Sequence, residues 1–173
     1  MNGNSPDRAQ SARPKSSQGK KFGRWLCASI VAVCTVFVAM QIVPVDRSNP
    51  TIEVDLGAPK QVDLILRRAC YDCHSNETVW PWYSRIAPVS WVVANDVKKG
   101  RAVLNFSTWT RLGNEQRAEA VAESWEEVAE RKMPTWYYVT LHPDARLSED
   151  DKSALREWAR SAGGAAGAEE HGE

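Results

Sequence analysis

Cys70, Tyr71, Asp72, Cys73 and His74 form a C-x-x-C-H pentapeptide in which two thiols and an imidazole are delivered by one short stretch of chain. Three chemistries want such residues. Two cysteines two residues apart can cycle between dithiol and disulfide, or supply half of a zinc site, or each add to a haem vinyl group while the following histidine turns up to the iron. The third accounts for the histidine as well as the spacing, because a neutral imidazole directly after the second cysteine lies under the porphyrin plane and is a good iron ligand. Dithiol exchange wants a strand before the motif and a helix starting at it, whereas a helical pattern runs into this motif. Zinc wants a second Cys/His pair downstream; only His142 and His171 lie there, and Cys27 and Cys34 sit in an apolar run far upstream. The expectation is one covalent haem c, held by Cys70 and Cys73 with His74 on the iron.

The other face of the iron has Met133, His142, water or nothing to fill it. Met133 is the expected ligand: it is the only methionine beyond the apolar run, it stands at a helix end before Pro134, and a thioether binds haem iron well. As ordinary packing, Met133 would be an apolar helix-terminal residue and His142 a hydrogen-bonded loop residue. Trp80-Pro81-Trp82-Tyr83, too interrupted by proline for a helix, is expected to line the haem. No Ser/His/Asp pattern or phosphate-binding glycine loop can be placed, so an enzyme is not expected.

The elements that must hold this motif follow from the pattern around it. At 173 residues the chain suits one domain with extra sequence at its ends. Residues 1–24 are polar and basic, with Arg8, Arg13, Lys15, Lys20, Lys21 and Arg24 against Asp7 alone, and read as a disordered cytoplasmic tail. The remainder is therefore net acidic, which argues against a nucleic-acid partner. Residues 25–43 carry no charge and suit a single transmembrane helix, oriented by the basic flank with its N-terminus inside. The run is longer than the apolar stretch of a signal peptide and no small-x-small site closes it, so an uncleaved anchor is expected.

Residues 44–59, with three prolines, read as an extended linker, and 60–162 as the domain. Val62, Ile65, Leu66 and Ala69 make the stripe of a helix ending in the motif. A second helix follows Pro88, with Val89, Val92, Val93 and Val97 inward and Gly100 as its stop. A third starts at Gly113 or Asn114, presents Ala118, Val121, Ala122, Trp125, Val128 and Ala129, and ends at Met133-Pro134. Residues 105–110 and the aromatic stretch 134–144 read as loops. Ser148 and Asp151 resemble a capping box opening a last helix with Leu155, Trp158 and Ala159 inward. Residues 163–173 read as a disordered tail. With no strand pattern, the domain is expected to be all-α. Seven of eight tryptophans lie beyond residue 79, where flat rings suit a flat cofactor as well as an ordinary core.

Several stretches together resemble a bacterial haem-binding-domain family of membrane-anchored, single-haem cytochrome c-like proteins, over about residues 42 to 160. They are Val43-Pro44-Val45-Asp46-Arg47, the run from Ala69 through the motif to Thr78, Trp80-Pro81-Trp82-Tyr83-Ser84, Ala87-Pro88-Val89-Ser90-Trp91, Leu104-Asn105-Phe106-Ser107 and Leu141-His142-Pro143-Asp144-Ala145. The resemblance implies a small cytochrome c-like helical domain around one haem, located outside the cytoplasm. In cytochromes c generally a Met before Pro near a helix end supplies the distal ligand, and Met133 follows His74 by 133 − 74 = 59 residues.

The function expected from these readings is a single-electron carrier at the outer face of the bacterial inner membrane, working with a redox partner protein. The alternative is a haem-based sensor of small ligands or a peroxidase-like enzyme, in which the iron keeps an open position.

Overall fold

The computed structural model describes residues 18–54 and 56–169, with side chains over 21–54 and 56–162. Seven α-helices and no strand occur among these residues, which is the all-α class the patterning predicts. The chain divides into two units, one ending at Val43 and the other running from Pro44 to Glu173.

The first unit is one helix, α1, Gln18–Gln41. It reaches back into the basic flank, so 18–24 of the expected tail are helical, because Lys, Gln and Arg extend an apolar helix at little cost. Residues 1–17 of that tail lie outside the described residues. The helix stops short of residue 43 because Pro44 disfavours helical geometry at Val43. Its stretch Lys21–Gln41 is 21 residues long and apolar enough to cross a membrane. At 1.5 Å per residue that is about 31 Å, the thickness of a bilayer core.

In the second unit α2, Lys60–Ala69, buries Val62, Ile65, Leu66 and Ala69 as its periodicity predicts. Ile65 and Leu66 are almost wholly enclosed, a gain of roughly 1.5–3 kcal/mol apiece. The motif then makes its own single turn, α3, Tyr71–His74. The remaining helices are α4 (Val89–Val103), α5 (Asn114–Ala129), α6 (Trp136–Leu141) and α7 (Glu149–Glu169), with 3₁₀ turns at Trp82–Arg85, Phe106–Arg111 and Pro143–Ala145. α5 and α7 share the broadest helix contact, α2 crosses α7, and α3 lies between α2 and α4. Leu56, Tyr71, Phe106, Trp109, Val121, Val128, Leu155 and Ala159 complete the core around α2.

Several expectations are corrected. The segment 44–59 is extended, but it belongs to the domain: Leu56 is buried, and Glu53 N–H donates to the Ser107 carbonyl at 2.9 Å. Gly100 does not stop α4, which continues to Val103. Of its predicted inner face only Val97 is buried, with Ser90; Val93 is half-buried and Val89 and Val92 are exposed, because α4 touches α3 and the 82–85 turn along a narrow line. On α5, Val121 and Val128 are buried, Ala118 and Trp125 half-buried, and Ala122 and Ala129 exposed.

Residues 136–141 form a helix where a loop was expected, its carbonyls satisfied within one short turn after Pro134. Residues 106–111 are likewise a 3₁₀ turn, started by the Asn105 side chain accepting from Ser107 N–H. The Ser148–Asp151 box is present: Ser148 Oγ accepts from Asp151 N–H at 3.1 Å, and the Asp151 carboxylate accepts from Ser148 N–H at 2.8 Å. α7 runs on to Glu169, past the expected end at 162, although 163–169 hold three glycines; 170–173 lie outside the described residues.

Candidate functional site

α2 hands the chain to the motif through one hydrogen bond, Cys70 N–H to the Leu66 carbonyl at 2.8 Å, and the Cys70 carbonyl then accepts from Cys73 N–H at 3.1 Å and His74 N–H at 2.9 Å. That single carbonyl closes the turn carrying both thiols and the imidazole. α4 packs directly on it. A Cβ at Gly100 would fall 2.4 Å from the Cys73 carbonyl oxygen, so this close approach requires a residue without one.

His74 is pinned from behind. Its Nδ1 lies 3.2 Å from the Leu104 carbonyl, which makes Nδ1 the protonated donor and leaves Nε2 its lone pair. Its ring leans on Phe106, with centroids 6.5 Å apart, and Phe106 stacks on Tyr71 at 5.3 Å. Burial holds His74 below the usual histidine range, against hydrogen bonding to the Leu104 and Gly100 carbonyls that works the other way, so the imidazole is neutral. A hydrogen bond to the far nitrogen is how proteins orient an imidazole that binds metal.

The cysteines are free thiols. Burial pushes Cys70 up to about 12, with Cys73 adding to it, and pushes Cys73 up to about 11, with Asp72 and Asp96 adding to it. At neutral pH the thiolate fraction is on the order of one in ten thousand or less, whereas dithiol exchange needs an accessible thiolate. Nor does any group of three or more His, Cys, Asp or Glu converge to hold a metal ion among the described residues, as a zinc site would need.

Around the turn, Asp72 links three stretches: Oδ1 accepts from Val79 N–H at 2.9 Å, Oδ2 from Tyr138 O–H at 2.8 Å, and its carbonyl from Thr78 O–H at 2.7 Å. Tyr138 stacks on His142 with centroids 4.2 Å apart. His142 lies 3.2 Å from the Tyr138 carbonyl through Nδ1 and 3.3 Å from the Tyr83 hydroxyl through Nε2. With Nδ1–H donating to the Tyr138 carbonyl and Nε2 accepting from the Tyr83 hydroxyl, His142 satisfies both contacts, the arrangement of a structural histidine. Burial, with Asp72 nearby, raises both the Tyr138 and Tyr83 phenols, so both remain hydroxyl donors.

The sequence-predicted residues distribute unevenly. Cys70, Cys73 and His74 share one turn, and Tyr83 reaches the same side through His142. Trp80 instead donates from Nε1 to Asn49 Oδ1 at 3.2 Å, on the segment before α2. Trp82 is 74% exposed and meets Tyr83 edge-on at 5.8 Å. Met133 follows a wrapped helix end: Arg131 takes a left-handed φ of 61°, and the Lys132 and Met133 N–H groups both donate to the Glu127 carbonyl. Its side chain is 38% exposed. The chain beyond it crosses the motif region, where Tyr137 O–H donates to Asp96 Oδ2 at 3.0 Å.

Arg101 was not foreseen. Its guanidinium donates to the carbonyls of Ser75 and Ser48, to Asn49 Oδ1 and to Thr78 Oγ1, all within 2.8–2.9 Å. One cation thus ties α4, the segment after the motif and the segment before α2. Asn76, Asn105 and Ser107 form a second tie: Ser107 Oγ accepts from Asn76 N–H at 2.9 Å and Asn76 Oδ1 from the Asn105 amide at 2.9 Å. Ser75, Asn76, Thr78 and Ser107 are buried polar residues, and no buried side-chain polar atom among the described residues lacks a partner.

A family model described as haem-binding domain matches residues 35–161, most of the chain and all of this architecture from α2 to the body of α7. The chain belongs to the haem-binding domain family. No curated protein and no solved structure matches it. The residues present fit a haem: a neutral imidazole held by its Nδ1, with two thiols one and four residues before it on the same turn. In the stretches flanking the motif, Asn76, Thr78, Asn105 and Ser107 hold the turn in place through their hydrogen bonds.

Proposed function

We propose that this haem-binding-domain protein is a membrane-anchored c-type cytochrome that carries single electrons outside the cytoplasm. The observation that supports it best is the juxtaposition, in one helical turn, of two free cysteine thiols and an imidazole whose Nδ1 meets the Leu104 carbonyl. Cys70 and Cys73 would hold the haem through thioether bonds, His74 would ligate its iron through Nε2, and Met133 would be the second protein ligand. Bound there, a haem supplies reversible one-electron chemistry, and the chain sets its potential through axial ligands, burial and hydrogen bonds. The basic flank of α1 keeps the N-terminus inside, so the domain faces the other side of the inner membrane.

The exposure of Met133 favours a second reading, a haem sensor or peroxidase-like protein with an open iron position. The absorption spectrum of the ferrous protein with and without carbon monoxide separates the two. An electron carrier ligated on both sides gives a low-spin spectrum that carbon monoxide leaves unchanged. Rapid formation of a carbon monoxide adduct assigns the open-site reading instead.

A further inference from the structure

Residues 47–49 are fastened to the turn that follows the motif. Arg47 donates to the Ser84 carbonyl at 3.3 Å, the Asn49 amide donates to the Thr78 carbonyl at 2.9 Å, and Ser48 and Asn49 both accept from Arg101. The chain therefore enters the domain along 78–84. Only residues 42–46 separate this fastening from the end of α1 at Gln41. Five residues reach about 17 Å when fully extended. A domain made of Pro44–Glu173 has a radius of gyration of about 14 Å, so it is wider than its tether is long. If α1 spans a bilayer, the entry point of the domain stays within about 17 Å of chain from the end of that helix, and the surface beside the entry point is the one kept near the headgroups.

That face has the composition such a position needs. Val79 and Trp82 are each 74% exposed, Ile86 is 40% exposed, and Val89 continues the apolar surface onto α4. Residues 78–95 contain no carboxylate, and Arg85 is their only charge, although the chain as a whole has equal numbers of acidic and basic residues. Trp82 is exposed, while the hydroxyl of its neighbour Tyr83 meets His142. An exposed Trp flanked by aliphatic residues and an arginine is the pattern of a membrane–water interface, where an apolar ring sits at headgroup depth and a cation meets phosphate.

We propose that the Val79–Ile86 turn docks the haem domain onto the surface of the phospholipid bilayer that holds α1, with Trp82 inserted at headgroup depth. This rests on the anchored reading of α1 and adds a second, peripheral contact to it. A domain held this way keeps one orientation toward the membrane, with the Cys70–His74 turn a fixed distance above it.

The test uses the full-length, haem-loaded protein in phospholipid vesicles, photolabelled with a lipid-soluble diazirine and mapped by mass spectrometry. Label is expected in α1 and in 79–86, including Trp82, and not in 114–129. Val79→Asp combined with Ile86→Asp is expected to abolish the label at Trp82 while leaving that in α1 and the haem absorption unchanged. Label in α1 without label in 79–86 overturns the docking and leaves the anchor standing. No label in either overturns the anchor, and the docking with it. A changed haem spectrum in the double variant assigns this face to the haem pocket and likewise overturns the docking.

Discussion

Arg101 holds four oxygens from three stretches of chain in one planar fork, and an ammonium has neither the donors nor the geometry to replace it. Arg101→Lys is expected to destabilise the haem-loaded protein by about 2–4 kcal/mol, the scale of losing two charge-assisted hydrogen bonds net, as read by urea denaturation. A change below the error of that measurement would show that the tie is dispensable. Gly100 fails in a different way. An added methyl meets backbone rather than a side chain that can swing aside, so α4 must lift off the motif. Gly100→Ala should cost about 1–3 kcal/mol despite alanine's better helix propensity, and should lower haem loading on expression. Unaltered stability and loading would mean that α4 does not press on Cys73. Met133→Ala should leave haem attached, open the sixth position to carbon monoxide and lower the reduction potential. If instead Met133→Ala is silent and His142→Ala turns the protein high-spin, the ligand is His142 and its contacts with Tyr83 and Tyr138 are remade in the haem-loaded form.

At the scale of elements, α2 is held to the start of α7 by Arg68, which donates to the Asp144 carbonyl at 2.8 Å and pairs with Asp151. Burial pushes the Asp151 carboxyl up, but hydrogen bonds from Arg68 and Ser148 more than offset it and its pKa lies below the usual aspartate range. A depressed folded-state value means that the stabilisation is present above the unfolded pKa of about 3.9 and is lost as pH falls through the folded one. Asp151→Asn should therefore be less stable at neutral pH and show a shallower loss of stability below about pH 4, measured by thermal unfolding across that range. Parallel curves for the two proteins would remove Asp151 from the acid response. The elements that were legible in the sequence depend on local pattern: the α2 stripe, the Ser148–Asp151 cap, the motif itself. Those that were not depend on partners distant in the chain. Nothing near Gly100 distinguishes a helix stop from a helix surface pressed on residue 73, and nothing near Arg101 shows that Ser48 and Thr78 will converge on it. Residues 44–59 look like a linker because their prolines are visible and their hydrogen bonds to Asn76 and Ser107 are not. Trp136–Leu141 reads as a loop because six residues are too few to show a helical period.

For the whole molecule, the proposed anchored reading puts the chemistry of the haem-binding domain on one side of a membrane and the basic flank of α1 on the other. Alkaline washing of membranes should leave the full-length protein in the pellet, and protease added to spheroplasts should digest residues 44–173. Release by the wash, or protection of the domain, would contradict the anchor or its orientation respectively. The cofactor is also a large share of so small a core, so Cys70→Ala with Cys73→Ala should give a protein largely unfolded by circular dichroism. The central claim is that Cys70 and Cys73 bond the haem covalently while His74 takes the iron. Extraction of the denatured protein with acidified organic solvent tests it most directly. The account predicts that the colour stays with the polypeptide in the wild type, with two thioether-linked cysteines in the peptide carrying residues 70–74; haem that passes into the solvent phase would contradict it.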